Sequence, residues 1–117
     1  MINEAGIDYV TIEDLRTLGG DRLVAEVVTT YLDEARGDID ALREATRAAD
    51  PVLVEEIAHR LKSASAGVGA TTVASHAEEL QFLGRAGSVS AAPEIVRALD
   101  DAWQQVETEL TPLARAA

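Results

Sequence analysis

Apolar residues recur along this chain at spacings of three and four, the period of an α-helix, and nowhere in sustained two-residue alternation. The run Thr11–Leu18 reads as a short amphipathic helix, with Asp14 three positions after Thr11 as in a capping box. Gly19-Gly20 ends it. Asp21 then reads as the N-cap of a long helix. Its stripe is Leu23, Val24, Val27, Val28, Tyr31, Leu32, Ala35, Ile39, Leu42 and Ala45, and Gly37 marks a bend inside it. Asp50-Pro51 restarts the chain, an N-cap followed by proline at the first helical position. Gly67 and Gly69 close that helix. Thr71 or Thr72 opens the next, which carries Val73, Ala77, Leu80 and Leu83 and is closed by Gly84 and Gly87. Ser90 caps the last, with Pro93 in its first turn, a stripe of Ile95, Val96, Leu99, Trp103, Val106 and Leu110, and an end at Thr111-Pro112. Four substantial helices with short connections predict an all-α fold: an antiparallel up-down-up-down four-helix bundle. Residues 1–117 then form one domain, with the short first helix as a cap on one end. Trp103 is expected to fill the core.

The helix after Pro51 carries the candidate chemistry. At about 100° per residue, Val54, Ile57, Leu61, Ala64 and Val68 fall within roughly 40° of one direction, which must face the core. His59 lies roughly 160° from that direction and is predicted to stand in solvent. Lys62, Ser63 and Ala66 follow it by three, four and seven positions and share its surface. Lys62 can reach the space beside the imidazole, and the short Ser63 and Ala66 leave it open to a partner. Glu55 and Glu56 sit one turn earlier and can orient the ring. On geometry alone, two readings stay open: an incidental exposed histidine on a solvated helix, and a phosphoryl carrier.

Composition narrows the choice. Ten basic against 21 acidic residues give a formal charge of −11. That argues against a nucleic-acid interface, which needs a basic face, and against anionic membrane surfaces. Aromatic residues make up 3% of the chain, too few for a base-stacking platform. No apolar run approaches the ~20 residues of a membrane span. The absence of cysteine rules out disulfides and thiolate-bound metal and suits a reducing compartment. The opening Met1-Ile2-Asn3-Glu4 lacks a basic region followed by an apolar run, so no secretory signal is expected. There is no Walker-type glycine loop and no kinase motif set, so the chain is not expected to be an enzyme with an ATP site of its own.

The run Ala58-His59-Arg60-Leu61-Lys62, followed by Gly69-Ala70 and then Leu80, resembles the phosphoacceptor motif of the histidine-containing phosphotransfer (HPt) domain family. The resemblance covers most of the chain: a short opening helix ending in Gly19-Gly20, then four longer helices. It implies that His59 accepts a phosphoryl group from a receiver-domain aspartate or a hybrid histidine kinase and relays it to a response-regulator receiver domain. Lys62 matches the family's helper lysine, and Gly69 the glycine that follows the motif. Ser63 stands where the family usually has glycine. It is small, and its hydroxyl can hydrogen-bond a phosphoryl oxygen. Gln81 stands where an acidic residue is common and is read as structural. Arg60, Ser63, Ala66, Gly67, Glu55 and Glu56 become the expected docking face. Arg60 and Lys62 are expected to supply a local basic patch on an otherwise acidic molecule. No cofactor is expected on this chain, since Mg²⁺ belongs to the receiver. The protein is expected to be a cytoplasmic monomer, standing alone rather than cut from a hybrid kinase.

Two other readings compete with this one. A metal-binding bundle would use Glu56-x-x-His59, but such sites need a second Glu-x-x-His, and Val73 stands where His76 would require glutamate. His76, roughly 60° off its helix's apolar direction, reads as a partly buried structural residue. A helical adaptor that binds a receiver or kinase without being phosphorylated remains the alternative.

Overall fold

The computed structural model describes residues 2–115; Met1, Ala116 and Ala117 lie outside the described residues. Four helices run in order: α1 (Tyr9–Arg47), α2 (Pro51–Gly67), α3 (Thr71–Arg85) and α4 (Ala92–Ala114). Among the described residues there is no strand, and only isolated bridges join Ile2 to Asp8 and Ile7 to Ala70. The helices form a ring in which α1 and α3 each pack on both α2 and α4. Their short connections make sequential neighbours antiparallel. The bundle measures 42 × 23 × 21 Å.

The expected break at Gly19-Gly20 is present, although hydrogen bonding runs across it. Gly20 has φ +72°, a conformation that only glycine adopts cheaply, and the chain kinks there into two legs. The first leg begins earlier than the Thr11 capping box suggests. Asp8 is the N-cap, its side chain accepting the Val10 N–H at 3.0 Å. Ile7 beside it is fully buried, and its bridge to Ala70 fixes where the helix starts. Gly37 produces no interruption.

Asp50 caps α2 as expected, accepting from the Leu53 N–H at 3.1 Å, with Pro51 at the start of the helix. The N-cap of α4 is Ala91 rather than Ser90, and α4 continues through Pro112 to Ala114. Pro112 is exposed, so water can serve the carbonyl that its missing N–H leaves free.

The core is continuous across the four helices. Ile12, Val28, Ile39, Leu42, Leu61, Leu80, Leu99 and Leu110 are essentially inaccessible. Trp103 is buried and meets Tyr31 edge-on, with ring centroids 5.8 Å apart. On α2 the buried side is Val54, Ile57, Ala58, Leu61 and Ser65, so the inward direction lies nearer Ser65 than Ala64. Ser65 is tolerated there because its hydroxyl pairs with the Tyr31 hydroxyl at 2.8 Å. No helix of the described residues is long and apolar enough to cross a membrane.

Candidate functional site on the outer face of the second and third helices

The buried stripe of α2 turns His59 outward, and the ring is exposed. Ser63, Ala66 and Gly67 are exposed on the same helix, and Lys62 is half-buried. Ser63 and Ala66, four and seven positions after His59, are short side chains on its helical surface.

The structure adds a residue that the sequence reading assigned to scaffolding. Gln81 on α3 is buried, and its carboxamide lies 3.1 Å from His59 Nδ1. A neutral, buried amide can serve Nδ1 in either protonation state. Its N–H₂ donates to a bare Nδ1, and after rotation about the last torsion its oxygen accepts from Nδ1–H. In both cases Nε2, on the far side of the ring, is left facing outward.

Two ion pairs flank this contact in the same antiparallel register. Arg85 Nε lies 3.0 Å from Glu55 Oε2 on one side, and Lys62 Nζ lies 3.2 Å from Glu78 Oε2 on the other. Glu55, His59 and Lys62 of α2 thus face Arg85, Gln81 and Glu78 of α3 as three rungs. Gly84 sets the spacing of this ladder. A Cβ there would lie 2.6 Å from the Pro51 carbonyl oxygen and 2.7 Å from the Glu55 nitrogen, so only glycine lets α3 approach the first turn of α2.

Arg60 faces the other way. Its guanidinium binds Asp38 on α1, with Nη2 2.7 Å from Oδ1. That hydrogen bond, above all, raises the guanidinium pKa further, with Asp38, Glu34 and Glu56 adding attraction. The expected basic patch is therefore altered: Arg60 and Lys62 are each paired with a carboxylate of this chain. Glu56 is exposed, and Glu55 is held by Arg85.

Gly69, with φ +76°, ends the turn after α2. A Cβ there would lie 2.4 Å from the Asp8 carbonyl oxygen. The Asp8 N–H donates to the Gly69 carbonyl at 2.8 Å, so the segment before α1 is pinned beside the helix that carries His59. His76 is half-buried, with Nδ1 3.1 Å from Glu79 Oε1 on its own helix, away from this face. Among the described residues no group of three His, Asp or Glu side chains could hold a metal ion.

The model of the Hpt domain family matches residues 26–109, which includes α2, α3 and most of α4. This chain belongs to the Hpt domain family. Its function is histidine phosphotransfer within phosphorelays, and its partners are drawn from response regulators and kinases. The solved structure of histidine-containing phosphotransfer protein B (HptB) from Pseudomonas aeruginosa PAO1 matches with a TM-score of 0.90 at 19% identity, covering 98% of this chain and 99% of that one. At that identity the likeness concerns the Hpt helical-bundle fold. A search of curated proteins finds no significant match.

Proposed function

We propose that His59 is the phosphoryl acceptor of this Hpt protein, and that it relays the group between receiver domains or from a hybrid kinase to a receiver. One observation carries the assignment. His59 is exposed, and its Nδ1 is held by the amide nitrogen of the buried Gln81, which fixes the ring with Nε2 outward; rotation of the amide puts its oxygen on Nδ1–H and frees the Nε2 lone pair to act as the nucleophile. The other histidine, His76, is half-buried and paired with Glu79.

With Nδ1 protonated, the Nε2 lone pair attacks the phosphorus of an acyl phosphate on the partner. An N–P bond forms as the P–O bond breaks, and the electron pair leaves with the partner's carboxylate. The ring then sheds its Nδ1 proton to water, and Gln81 rotates to donate to the bare nitrogen. A carboxamide follows both states without adding charge. Lys62, one turn away, stabilises the negative charge on the transferred group. Phosphoryl transfer asks the protein mainly for such positioning and charge compensation.

Ser63, Ala66 and Gly67 are short and exposed, and they form the surface on which a partner sits closest to His59; Glu56 lies at its rim. Arg60 and Glu55 contribute to that surface through their ion pairs rather than as free charges. Mg²⁺ and the acidic pocket belong to the receiver, and ATP to an upstream kinase, so this chain acts as a carrier and not as a kinase. We place it in the cytoplasm as a monomer, a setting that its cysteine-free composition suits.

The test is transfer from radiolabelled phospho-receivers to the wild type and to His59→Gln. Acid-labile, base-stable label on the wild type alone is expected. Label retained on His59→Gln would move the acceptor elsewhere. Binding to a partner with no label on either form would leave a helical adaptor.

A further inference from the structure

The cations around His59 are all engaged by carboxylates of this chain: Lys62 by Glu78, Arg60 by Asp38 and Arg85 by Glu55. These pairs differ in what they cost to open. The Asp38 side chain is 11% exposed, so releasing Arg60 would strand a buried charge. Glu78 is 68% exposed, so releasing Lys62 returns that carboxylate to water. Lys62 is also the cation on the same helical surface as His59, one turn on. The structure thus keeps one readily released cation beside the imidazole, and Glu78 is what holds it.

We propose that Glu78 is a positioning residue that parks Lys62 in the unphosphorylated protein and surrenders it to the phosphoryl group once that group is on His59. The proposal rests on the reading of His59 as acceptor. The exchange follows from charge. A phosphoryl group carries about −1.5 to −2 at neutral pH against −1 for a carboxylate, so Lys62 favours it. The parked lysine has already given up most of its rotamers, so little further ordering is needed when the group arrives. Glu78, left beside a dianion, then disfavours the phosphorylated state. The device lowers the grip on the phosphoryl group: it makes His59 a carrier that releases its load rather than a store.

Potassium phosphoramidate serves as probe, because it needs no partner protein. The Nε2 lone pair forms the N–P bond as the donor's P–N bond breaks, and the leaving nitrogen takes a proton from water and departs as ammonia. ³¹P NMR of the full chain at fixed ammonium gives the equilibrium ratio of phosphohistidine to phosphoramidate. Glu78→Gln is expected to raise that ratio about two- to fivefold, the scale of one exposed ion pair. In a Lys62→Gln background the same change should have a clearly smaller effect, because there is no lysine left to release and only the repulsion between Glu78 and the phosphoryl group remains. A ratio unchanged or lowered by Glu78→Gln, with His59 still labelled, overturns the exchange and leaves the acceptor reading intact. A gain that persists undiminished without Lys62 also overturns it, reducing Glu78 to simple repulsion. No label on the wild type overturns the acceptor reading, and this proposal with it.

Discussion

Gly84 lies so close to the Pro51 carbonyl that an added methyl carbon would stand 2.6 Å from its oxygen. The contact joins the last turn of α3 to the first turn of α2, one turn from Gln81. Gly84→Ala should therefore force α3 outward. Overpacking of this kind costs about 1–3 kcal/mol, read as a lower urea midpoint. Because Gln81 moves with the helix, labelling of His59 should fall as well. An alanine variant of wild-type stability would show that the two helices have room to spare.

Gln81 is the next test of the site. Gln81→Ala should leave His59 in place but lose the contact to Nδ1, and labelling by phosphoramidate should slow by about tenfold, as expected for a misoriented nucleophile. Gln81→Glu should act differently. A carboxylate holds only Nδ1–H and favours the charged ring, so the rate loss should be largest near neutral pH and relieved as pH rises. Identical pH profiles for the two variants would mean that the amide is a spacer.

Arg60 and Asp38 give a separate prediction. Arg60→Ala strands a carboxylate that is 11% exposed and should destabilise the fold by about 1 kcal/mol. In an Asp38→Asn background the same change should cost much less. If Arg60 instead guides partners electrostatically, Arg60→Ala would slow transfer from a phospho-receiver at low salt with no loss of stability.

The alkaline limit of the fold follows from Tyr9. Burial, and then the Glu109 carboxylate that accepts its hydroxyl at 2.9 Å, push its pKa up to about 12. An unfolded tyrosine titrates near ~10. Above that pH the unfolded chain releases a proton that the folded chain keeps, so rising pH favours unfolding. The stability is fully present below about pH 10 and is lost towards 12. Tyr31, raised by burial, adds to the same trend. Urea midpoints between about pH 8 and 11 should decline at the upper end, and less steeply in Tyr9→Phe.

The parts of this molecule that were legible from composition and spacing are those governed by burial and local chemistry. The apolar stripe of α2 carries its own period, so the outward direction of His59 follows from α2 alone. Asp50-Pro51 carries its own start signal. What was not legible depends on register between helices. Gln81 is a polar residue on a partly buried face, and its partner lies 22 positions away on another helix. Nothing in the spacing of either helix says how far one slides along the other. The ion pair of Arg60 was not legible for the same reason, because Asp38 becomes its neighbour only when α1 and α2 pack. The Thr11 capping box failed because the bridge between Ile7 and Ala70 sets the helix start earlier, at Asp8.

The three-rung ladder has a consequence for how such a chain can change over time. Glu55, His59 and Lys62 meet Arg85, Gln81 and Glu78 in one register, so a single inserted or deleted residue inside either stretch would unmatch every rung beyond it. Repair would require an equal change in the opposite stretch, at the mirrored position. Lengthening is harmless only outside the two stretches, so variation in length in working relatives should collect in the turns, where no cross-helix partner must be found again.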